Sequence, residues 1–181
     1  MKKEIILKGK EFILRPYKKD DFVSLSKNAN NKRVAKNMAS IFPSPYIIEN
    51  AKKWIKLNLK NYKKQKYPTS YVIDVNGEAV GTIGGGVHLK RPFIIGLGYW
   101  LGEKYWGKGI MSEAIKLYTT YIFKKYKKII RIQADTFSWN EGSQKVLLKN
   151  GFKLEGISKK AYLKDGEIVD IFNFSKLRNE R

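Results

Sequence analysis

Cysteine is absent from this chain of 181 residues, and histidine occurs once, at His88. Without thiols there is no disulfide framework, no thiolate metal site and no cysteine nucleophile. Long apolar runs are missing too. None reaches the roughly 18 residues that a membrane span requires. The amino-terminal Met1-Lys2-Lys3-Glu4-Ile5-Ile6-Leu7 is basic, and its apolar stretch is too short for a signal peptide. These absences point to the cytoplasm and away from a membrane. No internal repeat and no Gly/Ser-rich or Pro-rich linker breaks the chain, so one domain is expected over residues 11–177. Residues 1–10 then form an amino-terminal extension or edge strand, and 178–181 a tail. Acidic residues are scarce, with 16 Asp and Glu against 37 Lys and Arg, a formal net charge of +21. Such a field attracts polyanions and repels cationic ligands until salt screens it. A compositional bias explains it equally, because Asn, Ile and Tyr are also plentiful and all have AT-rich codons. The lysines are spread along the chain, which argues against a dedicated nucleic-acid-binding module.

What is present is globular in character, with 43% hydrophobic and 13% aromatic residues. Glu11 to Arg15 reads as a first strand ended by Pro16, and Lys19-Asp20-Asp21 as a helix cap before Phe22, Val23 and Leu25. Ser44 can cap a second helix with Pro45 at its first position, carrying Ile48, Ala51, Trp54, Ile55 and Leu59 at helical spacing. Ser70 to Val75 and Glu78 to Val87 flank Asn76-Gly77, a type I′ hairpin signal. Gly84-Gly85-Gly86 marks a bulge or bend in the second arm. Ile94 to Leu101 is a further strand, and Gly107 to Tyr126 reads as the longest helix, with a wide apolar core stripe. Ile129 to Thr136 is a strand, Asn140 to Asn150 a helix closed by Gly151, and Phe152–Ile157 and Ile168–Phe174 two closing strands. Strands first, then alternating helix and strand, imply a mixed α/β sheet.

The most informative segment is Lys104-Tyr105-Trp106-Gly107-Lys108-Gly109-Ile110, at the strand-to-helix junction. Two residues without Cβ let several backbone N–H groups face one point. The helix behind them adds unpaired N–H groups and the positive end of its dipole. That is an anion cradle suited to a pyrophosphate, with Lys104 and Lys108 adding charge. A plain strand-to-helix turn is the alternative reading of the same residues.

The context resembles the GCN5-related N-acetyltransferase (GNAT) superfamily. Its acetyl-CoA motif, Gln/Arg-x-x-Gly-x-Gly/Ala, is matched by Lys104 to Gly109 with Lys in first place. Gly98-Tyr99-Trp100-Leu101, Trp106 to Gly109, Glu113-Ala114, Asn140-Glu141-Gly142-Ser143, Gly151-Phe152 and Glu155-Gly156 occur in the order seen in the ribosomal-protein N-terminal acetyltransferase (RimJ/RimL) branch. Leu14-Arg15-Pro16, Asn50 to Ile55 and Gly166 to Asp170 look similar as well, so the resemblance covers roughly residues 11 to 177. It implies a mixed, mostly antiparallel sheet of six to seven strands splayed in a V, flanked by about four helices. Acetyl-CoA, as cosubstrate, would lie in the V. Tyr99, Trp100 and Leu101 would pair by backbone with the pantetheine arm, and Trp106, Gly107, Lys108, Gly109 and Ile110 would hold the pyrophosphate. Asn140 would lie against the pantetheine, and Ser143 near the sulfur as hydrogen-bond donor and catalytic acid. The plain reading of Asn140 is an N-cap, and of Ser143 a first-turn residue.

Acetyl transfer from a thioester to an amine needs a neutral amine, a stabilised oxyanion and a protonated thiol. A backbone N–H near Tyr99 to Leu101 is the candidate oxyanion donor. Two departures from the resemblance matter. The position where many GNAT enzymes carry an acid tyrosine is Leu147, and a frequent strand glutamate is here Gly96. Without that base, a peptide α-amine with pKa about 7.8 is roughly one-tenth neutral at pH 7, whereas a lysine-like amine near 10.4 is neutral to only about 0.04%. The net charge likewise disfavours a polyamine. Asp135, Glu113 and Asp170 are possible carboxylate helpers, each with a plainer role as sheet polar residue, first-turn charge and turn or pairing residue. His88 is expected to be solvated, and Phe42, Tyr46 and Trp54 to be core residues. The reading is therefore metal-free acetyl transfer by direct attack of an amine, most suitably the N-terminus of a ribosomal or other protein. Alternatives are a small-amine acetyltransferase for polyamines or amino sugars, an RNA-associated module, and a CoA sensor without turnover. Ribosome or RNA association through charge, and a monomer or homodimer, complete the expectations.

Overall fold

The computed structural model describes residues 5–65 and 69–178. Eight strands form one sheet: β1 (Leu7–Lys8), β2 (Ile13–Arg15), β3 (Ser70–Val75), β4 (Glu78–His88), β5 (Arg91–Leu101), β6 (Arg131–Phe137), β7 (Lys153–Lys164) and β8 (Glu167–Leu177). Their spatial order is β1-β2-β3-β4-β5-β6-β8-β7, and every pairing is antiparallel except β5 with β6. A parallel pair needs a crossover. Helix α4 (Ile110–Lys125) supplies it, and α5 (Glu141–Lys149) follows β6. Helices α1 (Phe22–Ala29), α2 (Lys32–Lys36) and α3 (Ile48–Gln65) cover the opposite face.

The central strands are therefore covered on both faces, whereas β7 at the edge is largely exposed, and the strand pleat of β3 divides its residues between two cores. Tyr71 and Ile73 of β3 pack with Ala114, Ile115, Tyr118 and Leu147 under α4 and α5. Val72, between them, joins Leu25, Ala51, Ile55 and Trp100 under α1 and α3. The first core closes on Tyr71, whose ring meets Tyr118 and Tyr121 edge-on at 6.2 and 6.0 Å.

Several expectations from the sequence are corrected. Among the described residues the sheet has eight strands, beyond the six or seven expected, because residues 7–8 form the edge strand that is one of the two readings of the amino-terminal segment. Five α-helices lie among the described residues because Asn31 caps a short α2, accepting hydrogen bonds from Arg33 N and Val34 N. The longest helix is α3, since α4 starts only at Ile110, after glycines with positive φ. Helix α3 starts at Ile48, not Pro45, and Asn50 Oδ1 accepts from Ile47 N at 2.8 Å. The Gly84-Gly85-Gly86 run forms no bulge. It pairs continuously with Gly98 to Gly96, and the register shift in this hairpin falls at Val87/His88. These glycines answer close packing instead. A Cβ on Gly84 would lie 2.5 Å from Ser70 Cβ, and one on Gly85 2.4 Å from Ile95 Cγ2. The Asn76-Gly77 hairpin is as expected, with φ values of 51° and 85°.

One buried ionic cluster ties the sheet to the helical layer. Arg15 Nε donates to Asp74 at 2.6 Å, and Nη1 and Nη2 fork onto Asp21 at 2.9 and 2.6 Å. Asp21, expected to cap α1, instead accepts from Arg15 and from Lys18 N. All three side chains are buried. Removing one member leaves an uncompensated charge away from water, which costs about 3–5 kcal/mol. Asp74→Ala is expected to lower unfolding free energy by that amount in urea titration. A loss below about 1 kcal/mol would show that the cluster is not a keystone.

Candidate active site

The cleft is created by a mismatch in strand pairing. β5 and β6 are in register at three positions only, Ile94↔Arg131, Ile95↔Ile132 and Gly96↔Gln133. Beyond them β5 stays with β4 as far as Leu101, while β6 stays with β8 as far as Phe137. The two parallel strands thus part at their carboxyl ends, where open α/β sheets bind ligands.

Backbone parity says which groups line the gap. Gly102 N donates to Val80 O, so even-numbered residues of β5 turn their backbone toward β4, whereas Phe93 O accepts from Ile130 N on the β6 side. The last pair of the parallel ladder uses Leu97 N–H on Gln133 C=O, so the groups that face the cleft are the C=O of Leu97 and the N–H and C=O of Tyr99 and Leu101. Leu101 O is taken by Trp106 Nε1 at 2.7 Å. The rest form a ladder for an extended, amide-bearing arm. Trp100 lies outside the cleft on both counts. Its backbone faces β4 and its side chain packs in the α1/α3 core against Phe42.

The turn at the open end has the conformation that the glycine pair implied. Gly107 and Gly109 have φ of 74° and 77°, a region that costs L side chains strain. Nothing lies within 4 Å of a Cβ built on either one, so the space above the turn is open. Glu113 N is the first helical donor, reaching Gly109 O at 3.0 Å. The N–H groups of Ile110, Met111 and Ser112 precede it and have no acceptor within the helix. Trp106 is pinned by its bond to Leu101 O and by Arg33, whose guanidinium lies 5.5 Å from the ring centroid. Arg33 is held in turn by an ion pair with Glu103, which also accepts from Asn31 at 2.7 Å. Lys104 does not serve the cradle. Its ammonium sits over the Tyr105 ring and 3.2 Å from Glu78, and hydrogen bonds to Tyr105 and Glu78 hold its pKa up. Lys108, 5.5 Å from the Tyr105 ring centroid, is left as the cation of the turn.

The other wall of the V ends in α5. Asn140 caps it, with Oδ1 accepting from Ser143 N at 3.2 Å. Ser143 Oγ reaches across the cleft to Tyr99 Oη at 2.6 Å. Burial pushes the Tyr99 phenol up to about 12, while the bond to Ser143 pulls the other way. This contact was invisible in sequence, where Tyr99 counted only for its backbone. Position 147, the acid tyrosine of many similar enzymes, is a fully buried leucine.

Each carboxylate that the sequence singled out has a polar partner. Asp135 accepts from Asn173 at 3.1 Å, Glu113 from Lys10 N at 3.1 Å, and Asp170 from Lys160 N and Lys159 at 2.8 and 2.9 Å. At Gly96 a Cβ would meet nothing within 4 Å. His88 differs from expectation, because its Nδ1 is buried without a partner among the described residues; it sits at the far end of the β4–β5 hairpin. Of the aromatic candidates, Tyr46 is a core residue, Phe42 is half-buried, and Trp54 is exposed with Nε1 donating to Tyr17 Oη at 3.0 Å. Beyond β6 lies an aromatic cluster that the sequence did not reveal. Phe137 stacks on Trp139 at 4.8 Å and meets Tyr162 edge-on at 5.3 Å, while Ser40 N donates to Tyr162 Oη at 2.8 Å. Among the described residues no group of three or more His, Cys, Asp or Glu could hold a metal ion.

The family model described as "Acetyltransferase (GNAT) domain" matches residues 11–153. The chain belongs to the GNAT acetyltransferase family. Among curated relatives, an uncharacterized N-acetyltransferase p20 of Bacillus licheniformis is 31% identical over 111 residues, 61% of this chain and 62% of its own. The ribosomal protein uS5-alanine N-acetyltransferase of Escherichia coli K12 is 38% identical over 74 residues, 41% of this chain and 38% of its own. The chain thus spans less than two-thirds of the length of these relatives. Across nearly the whole fold, it superposes on the ribosomal-protein-S5-alanine acetyltransferase of Vibrio fischeri with a TM-score of 0.82 and 26% identity, covering 97% and 98% of the two chains.

In this GNAT turn the two glycines at positive φ, more than the Lys108 side chain, are the candidate anion-binding element. Gly109→Val forces a β-branched residue to positive φ at a cost of about 1–3 kcal/mol. Calorimetric titration is expected to show acetyl-CoA binding weakened about tenfold or more, with Lys108→Ala within about threefold of the unaltered protein. Equal losses in both would put the lysine charge first.

Proposed function

We propose that this GNAT chain transfers the acetyl group of acetyl-CoA to a primary amine by direct attack, and that the amine is a protein N-terminus. The observation that carries the transfer is the cleft-facing backbone left over by the ladder, Leu97 C=O, both groups of Tyr99 and Leu101 N–H, beside an open, glycine-built anion turn. An extended pantetheine fits the first and a pyrophosphate the second. A cleft-facing N–H of Tyr99 or Leu101 is placed to polarise the thioester carbonyl. Ser143 is the hydroxyl for the departing sulfur. Asn140 holds the helix end that carries it.

The acceptor class rests on the lack of a base. With Asp135, Glu113 and Asp170 each holding a hydrogen-bonding partner and glycine at position 96, the proposed amine arrives largely neutral by itself. A peptide α-amine does so near pH 7 and a lysine or polyamine amine does not. The relatives named for uS5-alanine acetylation support the same acceptor class. Peptides with a free N-terminal alanine or serine are expected to be acetylated at least tenfold faster at pH 7 than spermidine or a lysine side chain. Their kcat/KM should rise about tenfold per pH unit and level off near the α-amine pKa of about 7.8. A faster polyamine reaction, or a plateau well below that pH, would overturn the acceptor assignment.

One surface favours a substrate embedded in nucleic acid. A groove of about 530 Å³ between α3 and the turn before α1 is lined by Lys19, Lys52, Lys56, Lys60 and Lys63 over an apolar floor of Ile55 and Leu59. None of the five lysines makes an ion pair among the described residues. Five neutralised phosphates of single-stranded RNA give a log–log salt slope of about −3.5, and Lys56→Gln with Lys60→Gln should reduce it by about 1.4. A slope unchanged by the double substitution would remove RNA from this groove.

A further inference from the structure

We propose that Tyr99 is the proton source for the departing thiol, and that Ser143 relays the proton rather than supplying it. The proposal rests on the acetyl-transfer reading above and deepens it. Ser143 Oγ and Tyr99 Oη are 2.6 Å apart, one on each arm of the V, on the side of the sheet covered by α4 and α5. Either hydroxyl can donate in this contact. When the phenol donates, the serine proton is free to point at a third atom.

The need for a second group follows from acidity. An alkyl thiol has a pKa of about 8.5, whereas an alcohol is about as weak an acid as water, near 15.7. A serine that protonated a thiolate alone would become an alkoxide, about seven units uphill. A phenol that replaces the serine proton in the same event leaves phenolate instead. With the Tyr99 phenol at about 12, the deficit is roughly halved. Burial keeps that phenol protonated throughout the physiological range, so the donor is always loaded.

The step balances. The amine nitrogen forms the C–N bond as the C–S bond breaks, and the C–S electron pair goes to sulfur. Sulfur takes the proton of Ser143 Oγ, and Oγ takes the proton of Tyr99 Oη. The nitrogen sheds its extra proton as it becomes an amide, and through solvent that proton restores the phenol. The enzyme ends unchanged. Tyr99 occupies the first arm of the V and position 147 is core leucine, so the strand takes over a task the helix cannot perform.

The test compares Tyr99→Phe, Ser143→Ala, the double variant and Ser143→Thr with the unaltered protein, using acetyl-CoA and an alanine-initiated peptide. Calorimetry should give acetyl-CoA dissociation constants within about threefold for all five proteins, because neither hydroxyl is needed for the backbone ladder or the turn. For both Tyr99→Phe and Ser143→Ala, kcat should fall about a hundredfold, within the usual range for a lost general acid. The double variant should fall no further, since the two act as one unit. Ser143→Thr, which keeps the hydroxyl, should lose less than about tenfold. In mixtures of light and heavy water, the unaltered enzyme should show a bowed dependence of kcat on deuterium fraction, from two protons in flight. Tyr99→Phe should lose the bow. A Tyr99→Phe kcat within threefold of the unaltered value, or losses that multiply in the double variant, overturns the relay and leaves acetyl transfer standing. Acetyl-CoA binding without turnover of any amine by the unaltered protein overturns both.

Discussion

Everything distinctive about this molecule depends on an unmet hydrogen-bonding requirement in β5. A strand inside a sheet normally satisfies both of its edges. Here even-numbered residues from Gly96 to Gly102 are satisfied by β4, and odd-numbered ones lose β6 after three register positions. The sheet tolerates the gap because each arm of the V is held from its outer side, β5 by β4 and β6 by seven register positions with β8. Helices α4 and α5 then place their amino-terminal ends over the opening. A ligand with amides along its length and an anion at its end completes the sheet. The acetyl-CoA reading is a statement about that completion.

Much of this was legible in the chain. The Gly107-x-Gly109 turn, the Asn140 cap, the Asn76-Gly77 hairpin and the Gly151 helix stop are local devices, written in residues whose backbone preferences admit few alternatives. What escaped depends on through-space partners. Gly84 and Gly85 looked like a bend because their neighbours Ser70 and Ile95 are distant in sequence. Arg15 looked like part of a family signature, and its work is to bind two buried carboxylates, one of them 59 residues away. Trp100 was grouped with its neighbours for the cofactor, and strand parity sends it the other way. The Tyr99–Ser143 contact joins positions 44 apart. No periodicity encodes it.

The charge of +21 looked diffuse in the sequence because the lysines occur throughout. Folding concentrates some of them. Lys52, Lys56, Lys60 and Lys63 fall on one side of α3 because three- and four-residue spacings share a helix face, and Lys19 faces them from the turn before α1. Other cations are consumed locally, as Arg33 is by Glu103, Lys104 by Glu78 and Arg131 by Glu155. The positive field outside the cleft and glycine at position 96 are the two features on which the proposed acceptor rests, a weakly basic amine carried by an acidic or RNA-bound partner.

The most direct measurement is amide hydrogen exchange across the whole chain with and without acetyl-CoA. The account expects new protection at Tyr99 and Leu101 and at the turn from Lys108 to Ser112, with the α3 groove unchanged. Strong binding that leaves Tyr99 and Leu101 exchanging as before would contradict it, because the ligand would then lie outside the gap between β5 and β6.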